Sequence, residues 1–505
     1  MLRRVERPDF HIDEKDAAVR IADAEFPVPF AHRLEFNAPV HGTWNIVHIG
    51  LMVPECHQIY VCADNCMRGV VLTAAEMGAG DRFSSVLIEE NDLYDQNLET
   101  ITIEGVSDVI RRLPYRPRAV TVFLVCLHHF VGTDAAFVFK TLEERFPDID
   151  FMRCWMDPVM QKTGLTPEQK LKESMFRPVR PLPVDPGLVC VLGDNQALDP
   201  DSDIAQTVRK AGGRILQLND WKKHGERIGI SYLRKAVTDK EAQEAYSFMV
   251  PCENYDDYLR IGSAGLFITR SPLGAHGVYQ LAKRLGRPFL YLPPVCGEDR
   301  IRQELSKLRS ALRDNLQQTA GVAGTAGTAG PDAGEPDAAE TDHLEGSIRD
   351  ESSASKALQH ALGLIGDTEI TIDYILNPRV LSLARRLLKA GFRVTRVYLD
   401  AILPEEEEDF LWLQKNYPDL ILNATIHPKM RVLHNAENEG KMLALGPKAA
   451  WFGGTAHFVN LVDYGGLWGD SGIEKLAALM EDAWLHEKDT RSIVPRKGQG
   501  CACVL

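Results

Sequence analysis

Three of the ten cysteines in this 505-residue chain fall where chemistry is possible. Cys62 and Cys66 stand four apart in IYVCADNCMRG (Ile59 to Gly69), where an apolar run gives way to a helical pattern. Cys126 closes a second such run in VFLVCLHHFVGTD, with Gly132 and Asp134 in the turn beyond it. A thiol at the end of a strand lies near backbone N–H donors and the start of a helix, and both favour the thiolate that binds metal. Soft thiolates on rigid supports are the ligands of iron-sulfur clusters. The spacing of Cys62 and Cys66 by itself also suits a redox pair or two buried thiols, because one helical turn commonly sets two side chains together. Cys190, Cys252 and Cys296 have no Cys or His companions and are expected to be packing residues, cysteine being among the most buried residue types. His41, His48 and His57 cluster around the first strand, and His128 and His129 follow Cys126. Hydrogen bonding within turns is their expected role, with a cluster ligand or proton donor as the alternative. The acidic run Glu89, Glu90 and Asp92 reads as a solvated face.

These residues need strands to hold them. Short β-branched runs alternate with helical patterns along most of the chain, the signature of parallel sheets flanked by helices. HQIYVC, SSVLIE, AVTVFLVC and DIDFMRC form a first group. LVCVLG, RILQLN, GLFIT and PFLYLP follow the boundary RPVRPLPVDPG. EITIDYI, FRVTRVYLD, LILNAT and MLALG form a third. Between the second and third groups lies a stretch rich in Ala, Gly, Asp and Ser with almost no large apolar residue, which cannot offset its ordering entropy. The expected organisation is an N-terminal extension (1–40), α/β domain I with the cluster cysteines (41–180), α/β domain II (181–317), a disordered linker (318–355), α/β domain III (356–490) and a flexible tail (491–505). The fold class is therefore α/β, with three Rossmann-like parallel-sheet domains carrying helices on both faces. Ligands of such sheets gather at the carboxyl ends of the strands. Cys62 and Cys126 both close a strand, so they converge only if the first strands are neighbours.

Composition excludes several function classes. Apolar residues at 45% and charged residues at 25% describe an ordinary globular protein. A net charge of −14 with a pI near 5.6 leaves no basic stripe for nucleic acid. No apolar run approaches the roughly 18 residues of a membrane span, and MLRRVERPDFHIDEKD lacks the apolar core of a secretory signal. A cytoplasmic location is expected, where thiols serve packing, catalysis or metals. The ending GQGCACVL has Ala502 where a prenylation box needs cysteine, which leaves Cys501 and Cys503 as an expected pair of surface thiols. GDNQALDPDSD lacks phosphate-loop spacing and its acids would repel phosphate, so no nucleotide site is expected on this chain.

Cys66 after a strand, then SSVLIEENDLYDQN, then CLHHFVGTD, resembles the component 1 proteins of nitrogenase and their relatives, the light-independent protochlorophyllide reductases and other nitrogenase-like reductases. In that family an early strand closes on a cysteine, an acidic segment follows, and a later strand closes on a cysteine in a C-x4-[IV]-G-x-D pattern. Cys126, Val131, Gly132 and Asp134 match that pattern position for position. DYGGLWGDSG (Asp463 to Gly472) resembles the family's Asp-Tyr-small-Gly stretch before its final helix. The resemblance runs from about Val40 to that helix. It implies three α/β domains and an iron-sulfur cluster, [4Fe-4S] or larger and P-cluster-like, bridging two component 1 subunits, identical or homologous. Cys66 and Cys126 take the places of cluster ligands. It further implies an oxidoreductase supplied with electrons by a separate ATP-dependent iron-sulfur reductase.

Two departures bear on this reading. The family has a further ligand cysteine upstream of the one matched to Cys66, where this chain reads APVHGTWN; Cys62, or less readily Cys56, is the expected recruit. The family's large cofactor is held by a cysteine and a histidine, and the matching segments here are LFITRSPLGAHGVYQ, without cysteine, and FVNLVDYGG, with Asn460 at the histidine position and His457 three residues earlier. Dinitrogen is therefore not the expected substrate. The alternative from another class is an assembly scaffold that binds and transfers a metal cluster without turnover.

Overall fold

The computed structural model describes residues 17–30, 46–76, 79–94, 97–156, 165–218, 246–250, 252–323, 352–425, 441–461 and 463–488. Their strands are β1 (Ala18–Arg20), β2 (Cys56–Cys62), β3 (Phe83–Leu87), β4 (Ala119–Val125), β5 (Asp150–Met156), β6 (Asp185–Val191), β7 (Arg214–Gln217), β8 (Met249–Val250), β9 (Ala264–Thr269), β10 (Phe289–Tyr291), β11 (Glu369–Asp373), β12 (Arg393–Tyr398), β13 (Ile421–Asn423), β14 (Met442–Leu445) and β15 (Phe458–Val459). They form three sheets, ordered β3-β2-β4-β5, β10-β9-β6-β7-β8 and β1-β13-β12-β11-β14-β15. Every pairing is parallel except that of β1 with β13. Parallel strands covered by helices on both faces read as continuous apolar runs, and every residue of β2, β4 and β9 is buried. The α/β class with separate parallel sheets is as expected.

The boundaries differ in three places. Part of the N-terminal extension belongs to domain III: β1 lies antiparallel on β13, and Ile21 packs into that domain's core. Helix Glu298–Ala323 runs past the expected domain end at 317. Helix Ser352–Ile365 starts inside the expected linker, of which 324–351 lie outside the described residues, as do tail residues 489–505.

The DYGG stretch ties domain III to domain II. Tyr464 and Gly465 both take φ +57, and a Cβ on Gly466 (φ +83) would meet Ala197 O at 2.0 Å. Gly466 O instead accepts from Asp199 N at 3.0 Å. The buried Trp468 donates from Nε1 to Leu292 O (3.1 Å) and Pro293 O (2.9 Å). The backbone turns tightly here so that the last helix, Gly469–Leu485, can dock.

Candidate functional site

The first sheet brings the expected residues to one edge. From β2 the chain passes to β3 on one side and later to β4 on the other, so the strand order reverses between β2 and β4. Such a switch point is where open parallel sheets form their ligand crevice. Val61 is in register with Leu124. Cys62, the last residue of β2, and Cys126, which follows Val125, are thus carried to the same carboxyl edge. Cys66 sits in the first turn of helix Asp64–Glu76, which leaves that edge.

The three thiols differ in environment. Cys62 is fully buried, and burial, followed by the neighbouring Cys66, pushes its thiol up to about 12. Cys66 and Cys126 are half-exposed, and burial raises the Cys66 thiol. Among the described residues no three His, Cys, Asp or Glu side chains converge on one point to enclose a metal. Two half-exposed thiols thus stand at a shared edge with a third in the core behind them, soft donors of the type that iron-sulfur clusters take.

The pattern after Cys126 has a structural cause. Cys126 opens the short helix Cys126–Phe130, and Gly132 (φ +71) turns the chain in a region that favours glycine. Asp134 then caps helix Ala135–Arg145, accepting from Phe137 N at 3.0 Å. His128 is buried against Thr102 (Nε2 to Oγ1, 3.2 Å) and accepts from Val125 N at 3.2 Å; burial pushes its pKa down to about 4. His129 stacks on Trp155 at 3.9 Å. His57 lies between Tyr115 OH (2.7 Å) and Ser84 Oγ (2.8 Å). These histidines take the hydrogen-bonding and packing roles; His41 and the side chain of His48 lie outside the description. Glu89 and Glu90 are exposed, and Asp92 accepts from Glu89 N at 2.7 Å, a solvated helix start. Cys56, Cys190, Cys252 and Cys296 are buried, and burial raises the pKa of each. The last three are packing residues as expected.

Charged residues that sequence reasoning missed line the next edges. Buried Lys172 pairs with buried Glu168 at 2.8 Å, and Glu168 also accepts from Asn195 at 3.0 Å. Arg270, after β9, approaches Asp194, beyond β6, at 3.5 Å and donates to Gln196 O at 2.7 Å. The adjoining cavity, lined in part by Met52, Gly193 and Gln196, measures about 10 Å³, about one water-sized sphere. In domain III, Asp373 ends β11 and accepts from Leu376 N (3.0 Å) and Ala449 N (2.7 Å). Lys448 reaches Tyr374 OH and, at 3.1 Å, Thr425 Oγ1. For Arg270, Asp194, Asp373 and Lys448 a sign was the rule that strand ends collect polar groups, applied to all three sheets rather than the first; helix Pro167–Ser174 gave no such sign for Lys172 and Glu168. His457 donates from Nδ1 to Ala483 O at 3.0 Å, and Asn460 is half-buried beside β15.

No protein-family model matches the sequence, and no curated protein does. Solved structures are similar in fold. One of nitrogenase Cp1 at pH 6.5 superposes with a TM-score of 0.59 at 12% identity, over 91% of this chain and 95% of that one. One of nitrogenase Cp1 at pH 5 gives 0.52 at 12% identity, over 93% and 94%. The chain therefore shares the fold of nitrogenase Cp1 across nearly its whole length. Among the described residues no helix is long and apolar enough to cross a membrane.

Proposed function

We propose that this chain is a nitrogenase-like component 1 subunit, an oxidoreductase chain that contributes half of an interfacial iron-sulfur cluster, [4Fe-4S] or larger. One observation carries the reading: half-exposed Cys66 and Cys126 flank the switch point between β2 and β4 in a fold similar to nitrogenase Cp1. Cys66 and Cys126 would be the ligands, with Cys62 in reserve. The cluster, when bound, supplies one-electron redox chemistry. The chain's own part is to fix the sulfurs: the β2/β4 register sets their spacing, His128 and Thr102 brace the turn behind Cys126, and the Asp134 cap orients the helix beyond it. An identical or homologous subunit completes the ligand set, and a separate ATP-dependent iron-sulfur reductase supplies electrons in the cytoplasm. The substrate is one other than dinitrogen.

Anaerobic purification tests this, with iron and acid-labile sulfide measured per chain. Wild type should carry iron and visible absorbance. Cys66→Ser and Cys126→Ser should each lose most of both while keeping the far-ultraviolet circular dichroism of the fold. Iron retained in full by both variants would overturn the assignment.

A second reading, a cluster-assembly scaffold, draws support from the paired charges of Arg270 and Asp194, which fill the strand ends of domain II, and of Lys172 and Glu168 on helix Pro167–Ser174, the latter bonded to Asn195 beyond β6. A scaffold would pass its iron to an acceptor protein. A reductase would be reoxidised by substrate.

A further inference from the structure

A cleft of about 1030 Å³ opens between domains I and II, against β5 and helices Ala135–Arg145, Pro167–Ser174 and Pro272–Leu285. Its apolar part is Phe139, Trp155, Phe176 and Leu281. Among the described residues its charged part is Lys140, Arg153, Lys170, Arg177, Lys283 and Arg284 against Glu143 and Glu173, six cations and two carboxylates, a formal +4. The whole chain carries −14. So concentrated a reversal of sign within one concavity focuses potential and draws anions from solution.

Some of these cations are already used by the fold. Arg177 pairs with Glu143 at 3.0 Å, and Arg284 donates to Val179 O and Phe176 O, both at 2.6 Å. Arg153, Lys170 and Lys283 make no ion pair among the described residues; Lys170 is half-buried and the other two are exposed. The volume is that of a cofactor-sized ligand, and a half-open cleft with an aromatic wall and convergent cations suits a small anion with a flat apolar body. Trp155 lines the cleft while its ring stacks on His129, three residues beyond Cys126. The cleft thus shares a wall with the element that presents Cys126.

We propose that this cleft binds a small organic polyanion with a planar apolar body, its acidic groups held by Arg153, Lys170 and Lys283 and its plane against Trp155. This does not depend on a cluster being bound. Fluorescence anisotropy of pyrenetetrasulfonate, titrated with the full-length chain, tests it. Benzenehexacarboxylate and ATP, added as competitors, distinguish carboxylate from phosphate ligands.

One saturable site is expected, weakening as salt rises because the Debye length shrinks. The double variant Arg153→Gln/Lys170→Gln should weaken it about tenfold, a realistic loss for two ion contacts in a partly screened cleft. Lys356→Gln/Arg393→Gln removes the same charge from exposed positions in domain III and should leave affinity unchanged. Equal weakening by both doubles, or no saturable binding, would overturn the proposal. So would a polyglutamate peptide binding more tightly than the dye, which would mark the cleft as a docking surface for an acidic protein.

Discussion

Acid should destabilise domain I through His57, and the structure gives both sign and size. Tyr115 OH donates to Asp81 O at 2.9 Å, so at 2.7 Å from His57 it must receive the proton of Nδ1. Nε2 then accepts from Ser84 at 2.8 Å. The ring is 1% exposed, and burial, followed by the nearby Arg82 guanidinium, pushes its pKa down to about 4 from the usual 6.5. A depressed histidine binds fewer protons folded than unfolded, so it adds stability that is complete above 6.5 and lost as pH falls toward 4. At about 1.4 kcal/mol per pH unit the whole effect is about 3 kcal/mol, of which about 2.5 is gone by about pH 4.5. His57→Gln keeps one donor and one acceptor for Tyr115 and Ser84 and cannot take up a proton. Urea unfolding of wild type and variant, followed by circular dichroism from about pH 7.5 to about pH 4.5, isolates this residue because every other titration is common to both. The wild type should lose about 2.5 kcal/mol more than the variant. Parallel curves would refute the buried, neutral imidazole and the tautomer derived for it.

Two further expectations concern buried charges. Glu406 is 1% exposed and accepts from Leu381 N (2.8 Å) and Ser382 N (3.2 Å), and burial pushes its pKa up to about 8. A raised carboxyl removes stability as pH rises from about 4.5 to 8, up to about 5 kcal/mol, so Glu406→Gln should flatten the urea midpoint across that range. Lys172→Met strands the buried Glu168 carboxylate and should cost about 3 to 5 kcal/mol, while Lys172→Met/Glu168→Leu should recover most of it, read from the same urea midpoints.

The fold was legible where burial made it so. AVTVFLV and HQIYVC read as strands because both faces of each are covered. The two-residue strands β8 and β15, and the edge strand β1 of sequence AVR, carry no period of their own and exist because a neighbour offers an unpaired edge. Helix Glu298–Ala323 outran its expected end because QQTAGVA combines two glutamines and two alanines, good helix formers, and only one glycine, Gly321, interrupts the end of this run. The shared edge of Cys62 and Cys126 followed from parallel pairing, given neighbouring strands. The burial of Lys172 did not, because TPEQKLKES is polar enough to read as a solvated helix. It is covered by helix Pro272–Leu285, whose Gly277 lies so close that a Cβ there would meet the Lys172 carbonyl at 2.8 Å.

Under the proposed function, the difference between Cys62 and Cys66 would decide how much of a cluster one chain can hold. A thiol pushed up to about 12 keeps its proton at neutral pH, and only a metal bound strongly enough to displace that proton would recruit Cys62. Cys66 and Cys126 need no such rearrangement to be reached from outside, since both are half-exposed. In a two-fold assembly each subunit presents the same patch to the other. Two sulfurs from each of two subunits would then make the four thiolates of a [4Fe-4S] cluster with Cys62 left protonated in the core. A larger cluster would instead draw Cys62 into service and release its proton. Under the proposed function nuclearity and proton release would therefore be one question, and both would turn on a side chain that the strand hides while its neighbour one helical turn later is left within reach.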